Sequence, residues 1–285
     1  MAPGNDRPRL EPEILRYYEA GHEKDRLRQA PFPLERARTE ELLARHLTAP
    51  PATVLDVGGG PGAYACWLAG QGYTVTLLDP VPLHVEQARK ACGAHPERAI
   101  ARVELGDARE LPAADQSQDA VLLLGPLYHL TERAERLAAL REARRVLRPG
   151  AVAFAVGVCR FASLLDGLVH GFDADPAFAA VIERDLLDGQ HRNPDGRPEW
   201  FTSAFFHHPS ELRSEVEAAG LRVLAVYGIE GPGWLMRDFE ARWADEARRR
   251  RLLEVARAVE QEPTLVGASA HLMAVASRPE RDEHR

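Results

Sequence analysis

Four short stretches of this chain carry residues able to do chemistry. The first is Val54-Leu55-Asp56-Val57-Gly58-Gly59-Gly60-Pro61-Gly62. Glycines at 58, 60 and 62 remove Cβ atoms where a ligand must approach the main chain closely. Asp56 puts an acid two residues before the first of them. The second stretch ends in Asp79, which closes the apolar run 74–78, and the third is Gly106-Asp107-Ala108. One acid at a strand end is usually a turn or cap residue. Acids at consecutive strand ends beside a glycine loop read instead as acceptors for a ligand. The fourth stretch is Leu124-Gly125-Pro126-Leu127-Tyr128-His129-Leu130. Its His129 is the side-chain type whose ordinary pKa suits proton transfer near neutrality.

Regular elements must position these residues. Residues 54–57 read as a short apolar strand, 63–69 as a helix, 74–78 as a β-rich strand, 83–91 as a helix and 100–105 as an alternating strand. Residues 120–124 are continuously apolar, as in a strand buried on both faces. An amphipathic helix over 132–147 ends at Pro149-Gly150, and 151–158 is another buried strand. This alternation predicts an α/β fold with a doubly wound, mostly parallel sheet, and puts the four stretches at its carboxyl edge. Residues 13–27 and 34–47 read as two preceding helices. The pattern lapses over 161–206, which holds six of the nine phenylalanines and Trp200. So long a segment predicts a lid or binding element, or a satellite hydrophobic cluster. A helix over 209–219, a strand over 221–227, a helical stretch over 235–259 and a strand over 270–276 complete the chain. The expected organisation is a helical lid (1–50), a core (51–159), a cap (160–208) and the remainder of the sheet (209–285).

The glycine loop alone leaves two ligands open. Gly58, Gly60 and Ala63 also fit the G-x-G-x-x-A pattern of dinucleotide sites, with Asp79 near the expected ribose acid, so an NAD(P)-dependent oxidoreductase is the competing expectation. Asp56 would repel a pyrophosphate but suits a ligand with a cationic amino group. S-adenosylmethionine (SAM) carries that group and a positive sulfonium. Asp107 adds an acceptor for an adenine amino group. On the D-x-G-x-G-x-G loop, Asp79 and Asp107, the chain from about residue 54 to 157 resembles class I SAM-dependent methyltransferases. The resemblance implies SAM as cofactor and a seven-stranded sheet with its last strand antiparallel. It implies Asp56 near the methionine amino group, Gly58 and Gly60 against the methionine moiety, Asp79 on the ribose hydroxyls, and Asp107 with Ala108 at the adenine. Leu124 and Tyr18 complete the expected cofactor site.

In that family the segment 124–130 borders the transferred methyl. Members acting on exocyclic amino groups carry [N/D]-P-P-[Y/F] there, whereas Gly125-Pro126-Leu127-Tyr128 lacks the Asn or Asp. Adenine, glutamine, RNA and protein acceptors are therefore disfavoured. Methyl transfer asks the protein to align donor and acceptor and to exclude water. A hydroxyl, N–H or aromatic carbon acceptor also needs a base. His129 is the first candidate and Tyr17 the second. The alternative for His129 is a plain loop histidine ahead of a helix capped by Thr131. Residues 17–27 (YYEAGHEKDRL, with His22, Glu23 and Arg26) and 124–130 resemble a branch of bacterial small-molecule methyltransferases, some of which methylate natural-product carbons, including C3 of indoles. The expected acceptor is a small aromatic or heteroaromatic molecule. His207 and His208 would face opposite sides of a strand, which leaves one for the acceptor pocket and disfavours a metal pair. Glu230 is a further candidate pocket acid, with the turn chemistry of Gly231-Pro232-Gly233 as the alternative.

The bulk numbers bound the rest. A net charge of −7 over 285 residues disfavours a nucleic-acid or anionic-membrane coat. The basic run 248–251 follows Asp245 and Glu246 at helical spacing and reads as a solvated, ion-paired face. Cys66, Cys92 and Cys159 show no metal-ligand spacing; Cys66 and Cys159 read as buried thiols, Cys92 as near a helix end, and all three suit a reducing cytoplasm. The polar, Pro-rich first ten residues do not read as a signal peptide, and no apolar run is long enough to span a bilayer. A monomer or homodimer without metal, and a SAM-binding protein without turnover, complete the expectations.

Overall fold

The computed structural model describes residues 10–21, 23–94 and 99–280. Expectations for His22, the N-terminal nine residues and the tail beyond residue 280 fall outside that range. The chain opens with α1 (Pro12–Glu19), α2 (Glu23–Arg26) and α3 (Phe32–His46). The alternating core follows: β1 (Thr53–Val57), α4 (Ala63–Gly70), β2 (Thr74–Asp79), α5 (Pro82–Ala94), β3 (Arg102–Leu105), β4 (Gln118–Leu123), α6 (Pro126–His129), α7 (Arg133–Val146) and β5 (Leu147–Cys159). Next come α8 (Ala162–His170), α9 (Pro176–Asp188), β6 (Gln190–His191) and β7 (Ala204–His207). The chain ends with α10 (Pro209–Ala218), β8 (Arg222–Gly228), α11 (Phe239–Ala244), α12 (Glu246–Val259) and β9 (His271–Ser277).

The order β3-β2-β1-β4-β5 is parallel throughout, and β9 adds antiparallel to β5 and pairs β8. Alternation along each strand feeds two cores. Leu55, Val57, Val121 and Leu123 pack with Ala139, Leu140 and Ala143 of α7 and Leu212 of α10 on one face. Val54, Leu77, Leu122 and Phe154 pack with Leu42 of α3 and Leu68 of α4 on the other. Each fully buried Val, Leu or Phe side chain among these contributes about 1.5–3 kcal/mol of transfer free energy. Strand order reverses between β1 and β4, and that reversal opens a crevice at the carboxyl edge.

The sheet also has two strands the alternation did not announce. β4 stops at Leu123, and β7 takes over its side of β5 through Val158↔Phe206 and Cys159↔His207, with β6 antiparallel beyond. The region expected to be irregular thus carries two helices as well. Asp175 caps α9 by accepting from the Ala177 N–H at 2.9 Å, Pro176 follows, and Gly189 stops it in the left-handed region. Two expected helices are broken. Residues 13–27 divide at Gly21, whose φ of +83° ends α1, and 235–259 divides at Asp245, which caps α12. Thr131 does not cap α7; the cap position is Glu132, without a side-chain bond. Cys66 is half-buried rather than buried, whereas the buried Cys159 thiol donates to the Gly267 carbonyl. Among the described residues, no helix is long and apolar enough to cross a membrane.

Candidate functional site

β1 delivers the chain to the crevice, and the turn at 58–62 holds its first wall. Gly58 has a φ of +69°, and a Cβ there would sit 2.8 Å from Pro126 Cδ. At Gly59 a Cβ would lie 2.6 Å from Asp56 Oδ2. The loop is therefore wedged between the acid beneath it and the start of α6, and its amides end at the α4 N-terminus.

The three acids differ in state. Asp56 is 1 % exposed, and neither oxygen has a hydrogen-bond partner among the described residues. Burial, then the Asp79 charge, push its carboxyl up to about 7. Asp79 already accepts three hydrogen bonds from its own surroundings: Oδ2 accepts from Gly60 N–H at 2.8 Å, and Oδ1 from Val81 N–H at 2.8 Å and His84 Nδ1 at 3.0 Å. It holds the glycine loop as well as facing the cavity. Asp107 accepts from the Arg109 main chain at 2.8 Å and from its guanidinium at 2.6 Å, and Arg109 reaches on to Glu135. The expected adenine acid is thus shared with an arginine.

A cavity of about 630 Å³ runs from these acids to α6, and Ala108, Leu124, Tyr128 and His129 line it. Residues of α1 and α2 line it as well. Ile14 and Tyr18, one turn apart on α1, pack with Val81, which turns the Tyr18 ring inward. Tyr18 Oη lies 2.5 Å from His129 Nε2, and the His84 ring meets Tyr18 edge-on at 5.1 Å. Burial pushes the His129 imidazole down to about 3, against a small upward pull from the Ser203 main chain. Burial, then Tyr128 and Glu23, hold the Tyr18 hydroxyl well above the ordinary phenol range. At neutral pH the pair is a neutral phenol donating to a neutral imidazole. The ordinary pKa that recommended His129 from sequence does not survive its burial.

From the cavity wall, where Glu23, Arg26 and Glu35 stand, runs a charge chain that sequence spacing did not reveal. Arg26 bridges Glu23 and, through both terminal nitrogens, Glu35 at 2.7 and 3.0 Å. Glu35 stands 3.9 Å from His271 Nδ1, which lies 2.6 Å from Glu230. Burial opposes the charge on Glu35, but Arg26 and then His271 outweigh it and hold its carboxyl low. Burial opposes charging of His271 too, and Glu35 and Glu230 together raise it. Glu35, Glu230 and His271 have ligand atoms within 4.8 Å of one another, yet Arg26 occupies Glu35, and Ser269 and the His271 main chain occupy Glu230. Their positive partners are built in.

The structure brings Asp56, Gly58, Gly60, Asp79, Asp107, Ala108, Leu124, Tyr18 and His129 to one cavity. Tyr17 is not among its lining residues; it packs edge-on against Tyr18 and Phe201. His207 is buried against Glu215 at 3.4 Å, and His208 caps α10, so neither joins the site. Glu230 lies in the charge chain rather than on the wall. Sequence reasoning missed His84, whose position five residues after Asp79 on the next helix is the signal that could have found it.

Residues 55–155 match the family described as a methyltransferase domain. "Methyltransferase GfsG" of Streptomyces halstedii is 35 % identical over 113 residues, covering 39 % of this chain and 40 % of that protein. "S-adenosyl-L-methionine-dependent Diels-Alderase iccD" of Talaromyces variabilis is 33 % identical over 128 residues, 42 % of each. The chain thus spans about two fifths of the curated relatives it matches. A solved SAM-dependent methyltransferase of Methanosarcina mazei shares the fold at 16 % identity, with a TM-score of 0.58 over 84 % of this chain and 98 % of that one.

Proposed function

We propose that this chain, whose residues 55–155 are a class I SAM-dependent methyltransferase domain, methylates a small aromatic or heteroaromatic acceptor. SAM is the cofactor of such a domain and supplies an electrophilic methyl on a sulfonium. The site's polar groups suit it. Asp56 lacks the cation that a buried carboxylate requires, which the methionine amino group provides. The bare turn at 58–60 admits the methionine main chain, Asp79 retains one lone pair for a ribose hydroxyl, and Ala108 offers its main chain at the adenine.

The observation that carries the reading is the Tyr18–His129 pair on the wall of the cavity that Asp56 also lines. An acceptor methylated by a bound donor would carry the positive charge and be a strong acid. Its proton passes to Tyr18 Oη while the Tyr18 proton moves to His129 Nε2, so the charge ends on the imidazole. A base this weak suffices because the methylated acceptor is a stronger acid still. Aromatic walls from Tyr18, Tyr128 and His129 favour a flat acceptor, and indole carbon is the sharpest case.

The test incubates the purified chain with methyl-labelled SAM and a panel of indoles, phenols and aromatic amines, with calorimetry on SAM and NADH alongside. Label transfer to a panel member and binding of SAM but not NADH are expected. NADH binding without SAM binding would return the glycine loop to a dinucleotide. The Diels-Alderase relative and the low basicity of His129 favour a second reading, a SAM-dependent cyclisation without methyl loss. Conversion of a polyene with SAM intact would establish it.

A further inference from the structure

Phe201 holds a backbone conformation that side chains avoid, φ +68° and ψ −170°. That region belongs almost wholly to glycine. Gln116, the other non-glycine residue with positive φ among the described residues, lies exposed in a turn, whereas Phe201 lies in the cap, three residues before β7. The preceding peptide is tied to a buried chain of polar groups. Ser163 donates to Asp185 Oδ2 at 2.6 Å, Asp185 pairs with His191 Nδ1 at 2.9 Å, and His191 Nε2 donates to the Trp200 carbonyl at 2.8 Å. Asn193 Nδ2 donates to the carbonyls of Arg197 and Phe201, each at 2.6 Å. Strain survives where surrounding contacts over-determine it.

What the distortion achieves is the placement of one ring. Phe201 stands 5.5 Å from the Tyr17 ring at 83°, 5.7 Å from His129 and 6.1 Å from Tyr128. Because β7 takes over beside β5 where β4 ends, this stretch of cap arrives directly against α6. His129 is then boxed by Tyr18 at 5.2 Å, Tyr128 at 4.6 Å and Phe201. Without the third ring the imidazole can swing away from the Tyr18 hydroxyl, and the alignment of a catalytic pair is sensitive to such freedom.

We propose that Phe201 is a positioning residue for the acceptor site: the cap forces its ring against His129 and Tyr17, so that the Tyr18–His129 pair is aligned before an acceptor enters. The inference rests on the reading of that pair as the proton-handling site. It makes the cap a working part of the active site.

Three variants separate ring from backbone. Phe201→Gly deletes the ring and relieves the backbone, Phe201→Ala deletes the ring and keeps the strain, and Phe201→Tyr keeps both. At an ordinary position Ala outlasts Gly; here the Gly variant is expected to melt about 2–4 °C above the Ala variant. The downfield proton resonance of the Tyr18–His129 hydrogen bond should persist in the wild type and Phe201→Tyr and broaden or vanish in the other two. On any acceptor from the indole, phenol and amine panel, kcat should fall about tenfold or more in the Gly and Ala variants, with SAM affinity unchanged and Phe201→Tyr within about threefold. A resonance that persists without the ring, or a Gly variant that melts below the Ala variant, overturns the proposal. If no panel member is methylated while the melting order and the resonance behave as expected, the methyl-transfer reading falls and the bracing role stands.

Discussion

The cavity has two halves built in different ways. The half proposed for the cofactor comes from consecutive strand ends, 56–62, 79 and 107–108, within one run of alternating elements. The half proposed for the acceptor comes from Tyr18 on α1 and from Tyr128 and His129 on α6, with Phe201 packed behind them; Tyr18 and His129 alone are 111 residues apart. The first half is mostly main chain and short carboxylates, fixed by the sheet itself. The second is aromatic, and each ring is held by others. A site of the first kind tolerates little change in shape. A site of the second kind can alter its acceptor by repacking while the donor site stays intact.

That contrast can be broken at several points. The largest effect is expected from Asp79→Ala, which strands three buried donors at about 1–3 kcal/mol each and frees the glycine loop. SAM affinity by calorimetry should fall more than about a hundredfold, with a lower Tm. Near-normal affinity would mean that the loop holds its shape unaided. Next, Tyr18→Phe and His129→Ala should each lower turnover about ten- to a hundredfold while SAM affinity stays within about twofold. A parallel loss of SAM affinity would merge the two halves.

The Asp56 carboxyl, raised to about 7, gives an effect of about tenfold. Its folded value lies above the unfolded one, so in the unliganded protein its contribution to stability is present at low pH and lost as pH rises toward 7. A cationic partner reverses this. SAM affinity should therefore rise about tenfold between pH 6 and 8 and level off above, and Asp56→Asn should flatten the profile. A flat wild-type profile would remove Asp56 from the amino-group role.

The smallest effect concerns the charge chain that fastens the lid. His271 is raised by Glu35 and Glu230, so its contribution is fully present below the ordinary histidine range and fades as pH rises through its raised value. His271→Asn should lower Tm by about 2–4 °C at pH 6 and by less at pH 9. An equal loss at both pH values would mean that His271 acts through packing alone.

Much of this molecule was legible in its sequence. Strand periodicity gave the parallel core, because a strand buried on both faces must be apolar throughout, and glycines beside acids at successive strand ends marked residues that the structure brings to one cavity. The caps of α9, Asp175-Pro176 and Gly189, stand in the sequence as signals that the reading of 161–206 as irregular passed over, because the aromatic content of the region obscured them. Other features arise only in three dimensions. That β7 replaces β4 beside β5, that Tyr18 meets His129, and that Arg26, Glu35, His271 and Glu230 form one chain depend on pairings between distant segments, which local periodicity does not encode. Burial is likewise a tertiary property. It moved His129 and Asp56 in opposite senses, because removal from water disfavours whichever form carries the charge, the protonated imidazole in one and the ionised carboxylate in the other.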